Sequence, residues 1–322
     1  MPLESIRSLV QSDLEATDQF ICTELKSDIP FINQLIEYIL KSGGKRIRPL
    51  LVLLAARAFQ HQKQEHIHLA AAIELIHTAT LLHDDVVDNS TLRRGHETAN
   101  TIWGNEASVL VGDFLYSRAF QLIVKLQHLP ILNIFANATN IIAEGEVLQL
   151  INCHDPDTTE QTYFDVIQRK TAKLFEVATQ TGSALSTDAE KHLLAMQHYG
   201  LNLGIAYQLI DDALDYSSSA EQMGKNMGND LTEGKPTLPI IYALRQGTSS
   251  EVALLRNAIQ TGSTENLSAI IEIIESTGAI EYTAKAAKQH AFDASKILTD
   301  IPDSPYRNAL QTLAEFVVER NY

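Results

Sequence analysis

The chain has 322 residues, 45% hydrophobic and 20% charged, a composition that excludes extended disorder and leaves ample apolar material for a large core. Its 25 Lys and Arg stand against 40 Asp and Glu, a formal charge of −15, which argues against nucleic acid or an anionic membrane as the main partner and makes each basic residue informative by position. Two cysteines, Cys22 and Cys153, cannot build a disulfide framework, and no paired Cys/His spacing points to zinc. The start of the chain lacks a basic-then-apolar leader, and the longest apolar run, Pro49 to Ala56, is far short of the roughly 20 residues of a spanning helix. The expectation is a cytoplasmic protein with no integral membrane segment. No Pro/Ser/Gly-rich linker divides residues 1–322, so one domain is expected.

Taken in chain order, "FINQLIEYIL" (31–40) has helical spacing and stops at Gly43-Gly44. In the following "GGKRIRP" (43–49), Lys45 and Arg48 lie three apart and can share a face of the next helical turn, while the glycines let backbone approach a ligand. The bland alternative is a helix end with ordinary surface cations. "AAAIELIHTATLL" (70–82) is apolar nearly all round, the mark of a helix surrounded by other helices. His77 within it can donate to a phosphate, although a lone histidine among apolar residues is more often a core side chain.

That helix runs into "LLHDDVVDNSTLRRGHE" (81–97). Asp84 and Asp88, at i and i+4, share a helical face and repel by a few tenths of a kcal/mol unless a cation lies between them. Oxygen-only ligands of this kind suit Mg²⁺, which keeps waters and is usually completed by substrate phosphates. Asp85 stands between them, and Arg93 and Arg94 follow. "ASVLVGDFLYSRAFQLI" (107–123) is a further helix, and Pro130 marks a break before the next.

After a loop at "CHDPDTT" (153–159), helical patterns continue through "QRKTAKLF" (168–175) and "GLNLGIAYQLI" (200–210) into "QLIDDALD" (208–215). This second D-D-x-x-D repeats the logic of the first, with Asp211 and Asp215 on one face and Asp212 between them. Lys225 and Lys235 follow within the longest polar loop, 217–236. Two such clusters, each behind an apolar helix and each trailed by cations, fit paired metal-diphosphate sites better than solvated helix ends. From about residue 250 the pattern is plainly amphipathic and reads as an outer layer without catalytic residues. Strand signals are scarce throughout, and the predicted fold class is all-α.

"GGKRIRP", "LLHDDVVDNSTLRRG", "QRKTAKLF", "YQLIDDALDY" and "GKNMGNDLTEGKPTLP", in this order, resemble the trans-isoprenyl diphosphate synthases, or polyprenyl synthetases, and within them the bacterial octaprenyl diphosphate synthases. "IHTATLLHDD" (76–85) and "IIAEGEVLQL" (141–150) extend the likeness over essentially the whole chain. The resemblance implies a single large helical bundle with a central cavity, the isoprenoid synthase fold. It implies a prenyltransferase that condenses isopentenyl diphosphate head-to-tail onto an allylic diphosphate, farnesyl above all, to give about C40 octaprenyl diphosphate for a quinone side chain. Alternatives are a product between about C20 and C50 or a non-catalytic subunit of such a synthase. A cyclase has no use for the "GGKRIRP" element, and a cation-binding interaction protein leaves the basic residues unexplained.

By the same resemblance, Asp84, Asp85 and Asp88 with Arg93 hold the allylic diphosphate through metal, and Asp211, Asp212 and Asp215 hold the remaining metal. About three Mg²⁺ ions serve each site, and Mn²⁺ substitutes. Lys170, Lys225 and Lys235 complete the allylic diphosphate site, and Lys45, Arg48, His77 and Arg94 hold isopentenyl diphosphate. Thr171 and Gln208 flank the reacting carbons, where their dipoles stabilise an allylic cation. The departed diphosphate takes the final proton, so no side-chain nucleophile is required, and the chain shows none. A homodimer is implied, as is transient membrane contact to release a lipophilic product.

The growing chain is expected to descend between the helices. Ala79 and Thr80, one turn before the first aspartate, are small where a short-chain synthase of this family places an aromatic, so the floor is open. One helical turn rises roughly 5.4 Å, comparable with one prenyl unit. Tyr116, Phe120, Ile123 and Phe135 are the candidates for a deeper floor.

Overall fold

A computed structural model describes residues 3–41, 43–217 and 227–319. Helical apolar spacing becomes helices along the whole described chain, and the all-α expectation is met. The only strands among the described residues are Leu92–Arg93 (β1) and His96–Glu97 (β2), an antiparallel hairpin with Leu92 opposite Glu97. Arg94 and Gly95 both have positive φ at its turn, the geometry that suits a two-residue hairpin loop.

By backbone contacts the chain divides into two compact units. The first comprises residues 1–136, 177–197 and 298–310. It begins with α1 (Leu3–Ser8), α2 (Gln11–Glu24) and α3 (Pro30–Lys41), followed by α4 (Ile47–Ala58) and α5 (Glu65–Val87). Leu50 to Ala56 on α4 and Leu69 to Ile73 on α5 are fully buried, as expected of segments apolar on every face. After the hairpin come α6 (Ala99–Trp103) and α7 (Asn105–Lys125), which packs along α5 through Val111, Leu115, Ala119 and Leu122.

Among the described helices α7 is long and apolar enough to cross a membrane by length and composition. Counting unbroken apolar residues misses it because Gly112-Asp113 and Ser117-Arg118 interrupt the run. A buried polar knot joins three helices of this unit. Arg57 on α4 donates to both carboxylate oxygens of Asp13 on α2, at 2.8 and 2.7 Å, and His66 Nε2 on α5 lies 3.3 Å from Asp13.

The second unit comprises residues 137–176, 198–297 and 311–322. Its elements include much of α8 (Leu129–Asn152), α9 (Glu160–Ile167), a π-helical turn at Gln168–Ala172, and parts of α10 (Lys173–Ala184) and α11 (Glu190–Asp215). Pro130 sits in the first turn of α8, where its missing N–H costs nothing, so the break falls just before it. The short α12 (Asn229–Thr232) lies inside the predicted polar loop. There follow α13 (Leu238–Gln246), α14 (Ser249–Thr261), α15 (Leu267–Ser276), α16 (Ala279–Ile297) and part of α17 (Pro305–Val318). Their amphipathic stripes close a core around Tyr216, Ile240, Leu255, Ile259, Ile270 and Ile274.

Candidate active site

In the first unit the site is built at the end of α5. The helix stays intact through the acidic motif, with Asp88 N–H donating to Asp84 C=O at 2.8 Å, so Asp84 and Asp88 share a face as their spacing requires. Both are half-buried. Asp85 turns elsewhere and is 3% exposed. Its Oδ1 accepts from Arg93 Nε at 2.9 Å and Nη2 at 2.7 Å, and its carbonyl accepts from Asn100 Nδ2 at 3.1 Å. Burial raises the Asp85 carboxyl above its ordinary value against the opposing pull of Arg93, and the neighbouring Asp84 and Asp88 charges add to the rise. The hairpin thus commits Arg93 to Asp85.

The predicted isopentenyl residues partly converge. Arg48 Nη1 lies 3.1 Å from His77 Nε2. A guanidinium can only donate, so His77 accepts there and is neutral at that nitrogen. Burial holds His77 well below its ordinary value, and the cations of Arg48, Arg94, Arg93 and Arg46 reinforce this. Four guanidiniums lie near this imidazole in a chain of charge −15, two of them, Arg93 and Arg46, already paired with Asp85 and Glu74. Arg94 donates to Gly43 C=O, which ties the hairpin to the "GGKRIRP" loop. Lys45 is exposed, and its carbonyl accepts from Arg7 Nη1 at 2.9 Å.

Sequence reasoning passed over Arg46. It has a left-handed backbone, pairs with buried Glu74, and lines one cavity with His77, Asp85, Arg93 and Arg94. Its place between Lys45 and Arg48 was the only signal for it.

In the second unit the π turn presents Lys170 and Thr171. Such single turns occur often at functional sites, because one extra residue per turn redirects side chains. Two glycines make room for it. A Cβ on Gly145 of α8 would come within 2.8 Å of Lys170 N, and one on Gly204 of α11 within 2.6 Å of Ala172 Cα. Lys170 Nζ contacts Glu146 Oε2 at 2.5 Å and Gln149 Oε1 at 2.7 Å.

Thr171 Oγ1 donates to Gln208 Oε1 at 2.9 Å, and Gln208 Nε2 donates to Asp212 Oδ1 at 2.7 Å. Tyr163 on α9 donates its hydroxyl to Asp212 Oδ2 at 2.5 Å. Asp212 is 2% exposed. Burial, then the charge of Asp230, pushes its carboxyl up to about 8, against the lowering hydrogen bonds from Tyr163 and Gln208. Asp211 is half-buried, whereas Asp215 is buried and accepts from Asp230 N at 3.1 Å. Lys235 Nζ pairs with Glu233 at 2.6 Å, and Lys225 lies outside the described residues. Tyr163, Glu146, Gln149 and Asp230 were missed because contacts across helices leave no spacing signature.

Among the described residues no three His, Cys, Asp or Glu side chains form a metal cluster by themselves. The Asp84/Asp88 pair still fits Mg²⁺, a hard cation bound by one or two carboxylates and completed by water and phosphate oxygens. Of the chain-length candidates, Ala79 is fully buried and Thr80 half-buried, its hydroxyl bonded back to His77 C=O at 2.8 Å. On α7 the Tyr116 and Phe120 rings lie 5.4 Å apart, both half-buried, while Ile123 and Phe135 are buried.

Comparison with known proteins adds a second line of evidence. A family model described as Polyprenyl synthetase matches residues 29–276. The chain is 48% identical over 322 residues to octaprenyl diphosphate synthase of Escherichia coli K12, covering 100% of both chains. It is 44% identical over 318 residues to the geranyl-diphosphate-specific all-trans-nonaprenyl-diphosphate synthase of Rhodobacter capsulatus, covering 98% of each. The crystal structure of a polyprenyl synthase from Caulobacter crescentus CB15, complexed with calcium and isoprenyl diphosphate, superposes with a TM-score of 0.95 at 42% identity. It covers 99% of this chain and 98% of that one.

Proposed function

This chain belongs to the polyprenyl synthetase family and shares its prenyltransferase class, and from that premise we propose that it makes octaprenyl diphosphate, about C40, from farnesyl and isopentenyl diphosphates. The observation that carries the product length is full-length 48% identity to an octaprenyl synthase. The small Ala79 before Asp84 supports a long product, since a short-chain synthase of this family is expected to place an aromatic there. The nonaprenyl relative at 44% identity favours one alternative, a product one unit longer.

In this reading Asp84 and Asp88 would hold Mg²⁺, Asp211 and Asp215 would do so likewise, and the metal when bound supplies Lewis-acid neutralisation of the leaving diphosphate. Asp85 keeps Arg93 aimed at the allylic diphosphate, and Lys170, Lys225 and Lys235 are assigned to the same diphosphate by resemblance to the family. Arg48, His77 and Arg94, with Lys45, bind isopentenyl diphosphate. A neutral His77 donates from its other ring nitrogen without adding a charge to the site. Thr171 and Gln208 flank the carbon that becomes cationic when its diphosphate departs. The isopentenyl double bond attacks there, and the released diphosphate accepts the proton lost on closing the new double bond. The exposed Val109, Leu110 and Val124 on one side of α7 support a homodimer in which that stripe is covered.

The test is incubation of purified protein with farnesyl diphosphate, labelled isopentenyl diphosphate and Mg²⁺, with sizing of the dephosphorylated products. A ladder ending near C40 supports the reading, and an end point elsewhere revises the length. Absence of elongation, with wild type and Asp84→Ala indistinguishable, points instead to a non-catalytic subunit.

A further inference from the structure

The hydroxyl of Tyr163 is one end of a chain of hydrogen bonds whose donors converge on Asp212 from both sides. Tyr163 is 4% exposed and comes from α9. Its hydroxyl donates to Asp212 Oδ2, Gln208 Nε2 donates to Asp212 Oδ1, and Thr171 Oγ1 donates to Gln208 Oε1. Both oxygens of one carboxylate are therefore occupied by donors from α9 and α11.

The polarity of this chain matters chemically. A carboxamide donates at one end and accepts at the other, and Asp212 decides which end of Gln208 faces Thr171. With the amide oxygen toward Thr171, the hydroxyl proton is consumed by Gln208. The remaining lone pairs of Thr171 Oγ1 are then turned away from Gln208. Reversing the amide would instead aim an N–H at Thr171 and force the hydroxyl proton outward. Next to a developing carbocation, outward lone pairs stabilise and an outward O–H repels.

We propose that Tyr163 is a positioning residue which, through Asp212, holds the Gln208 amide and the Thr171 hydroxyl in the polarity that favours an allylic cation. The proposal rests on the prenyltransferase reading above, in which Thr171 and Gln208 flank the reacting carbons. Asp212 in this scheme orients a neighbour, and its two oxygens are already taken. Without the phenol, the carboxylate has one of these two donors left for its two buried oxygens, and its plane is no longer fixed.

The experiment is a double-mutant cycle on the full chain with Mg²⁺, farnesyl diphosphate and isopentenyl diphosphate: wild type, Tyr163→Phe, Gln208→Leu and the double variant. Each is measured for kcat, both KM values, the Mg²⁺ requirement and the melting temperature. The expected result for Tyr163→Phe is a kcat lower by on the order of 10- to 100-fold. Both KM values and the Mg²⁺ requirement stay in place, and adding Tyr163→Phe to Gln208→Leu causes no further loss. Losses that multiply in the double variant overturn the proposal. So does a Tyr163→Phe enzyme that matches wild type, or one whose KM, Mg²⁺ requirement or melting temperature moves while kcat holds. A wild-type chain that fails to elongate farnesyl diphosphate fells the prenyltransferase reading itself, and with it this inference, whereas an active wild type with a silent Tyr163→Phe fells the inference alone.

Discussion

Arg48 and His77 meet in one contact whose proposed role is to bind one of the two substrates. Their 3.1 Å hydrogen bond lies among the predicted isopentenyl residues, while Arg93 is committed to Asp85 on the acidic motif. Arg48→Ala removes a charge-assisted donor worth about 1.5–3 kcal/mol. The expected outcome is a KM for isopentenyl diphosphate raised on the order of 10- to 100-fold, with the allylic KM unmoved, read from initial rates at varied substrate. Ala79 is the second residue-scale case. It is fully buried, so Ala79→Tyr projects a ring one turn below Asp84 and should shorten the product to about C15 to C20. Phe120→Ala should lengthen it. Product sizing checks both, and unchanged spectra in the two variants would discard the descending-chain model.

Among the elements, the π turn at 168–172 is the piece that linear periodicity could not reveal. "QRKTAKLF" was legible as a motif on a helix, but a π turn differs from an α turn by one residue, which no hydrophobic repeat over five residues can register. What permits it lies elsewhere in the chain, at Gly145 and Gly204, where added methyls would meet backbone atoms of Lys170 and Ala172 at 2.8 and 2.6 Å. Gly204→Val is therefore expected to push the turn off α11 and to lower kcat by on the order of tenfold or more. Because overpacking costs about 1–3 kcal/mol, the melting temperature should fall as well. Steady-state kinetics and thermal unfolding on the same preparation check the two effects together.

For the molecule as a whole, acid sensitivity follows from the knot at Asp13, Arg57 and His66. Burial lowers the imidazole of His66 below its ordinary 6.5, Asp13 opposes this and Arg57 adds to it. His61, close by, is likewise lowered, first by burial. Below about pH 6.5 the unfolded chain takes up protons that the folded histidines refuse, so stability rises with pH across that range and is lost on acidification. Asp13 acts in the same direction further down. Burial raises its carboxyl, but the bonds from Arg57 and the nearby His66 outweigh this and leave it below 3.8, so its contribution is present above 3.8 and lost as pH falls through the folded value. The melting temperature should drop by several degrees between pH 7 and pH 5. Arg57→Ala leaves Asp13 buried without its main partner and should cost about 3–5 kcal/mol in urea unfolding.

The sequence by itself determined the helical class, the buried character of α4 and α5, both acidic motifs and the cations that accompany them. All of these are local patterns: an apolar repeat of 3.6, carboxylates four apart, a basic residue at a fixed distance down the chain. Tertiary structure alone decided which member of each motif faces which partner. Asp85 and Asp212 look equivalent to their neighbours in sequence, yet one is bound to Arg93 and the other is enclosed by Tyr163 and Gln208. Arg46 looks like Lys45 and Arg48, yet its left-handed backbone turns it to Glu74. The physical reason is burial. A carboxylate or guanidinium removed from water must find its counterpart across space, and the helix that supplies it can start dozens of residues away.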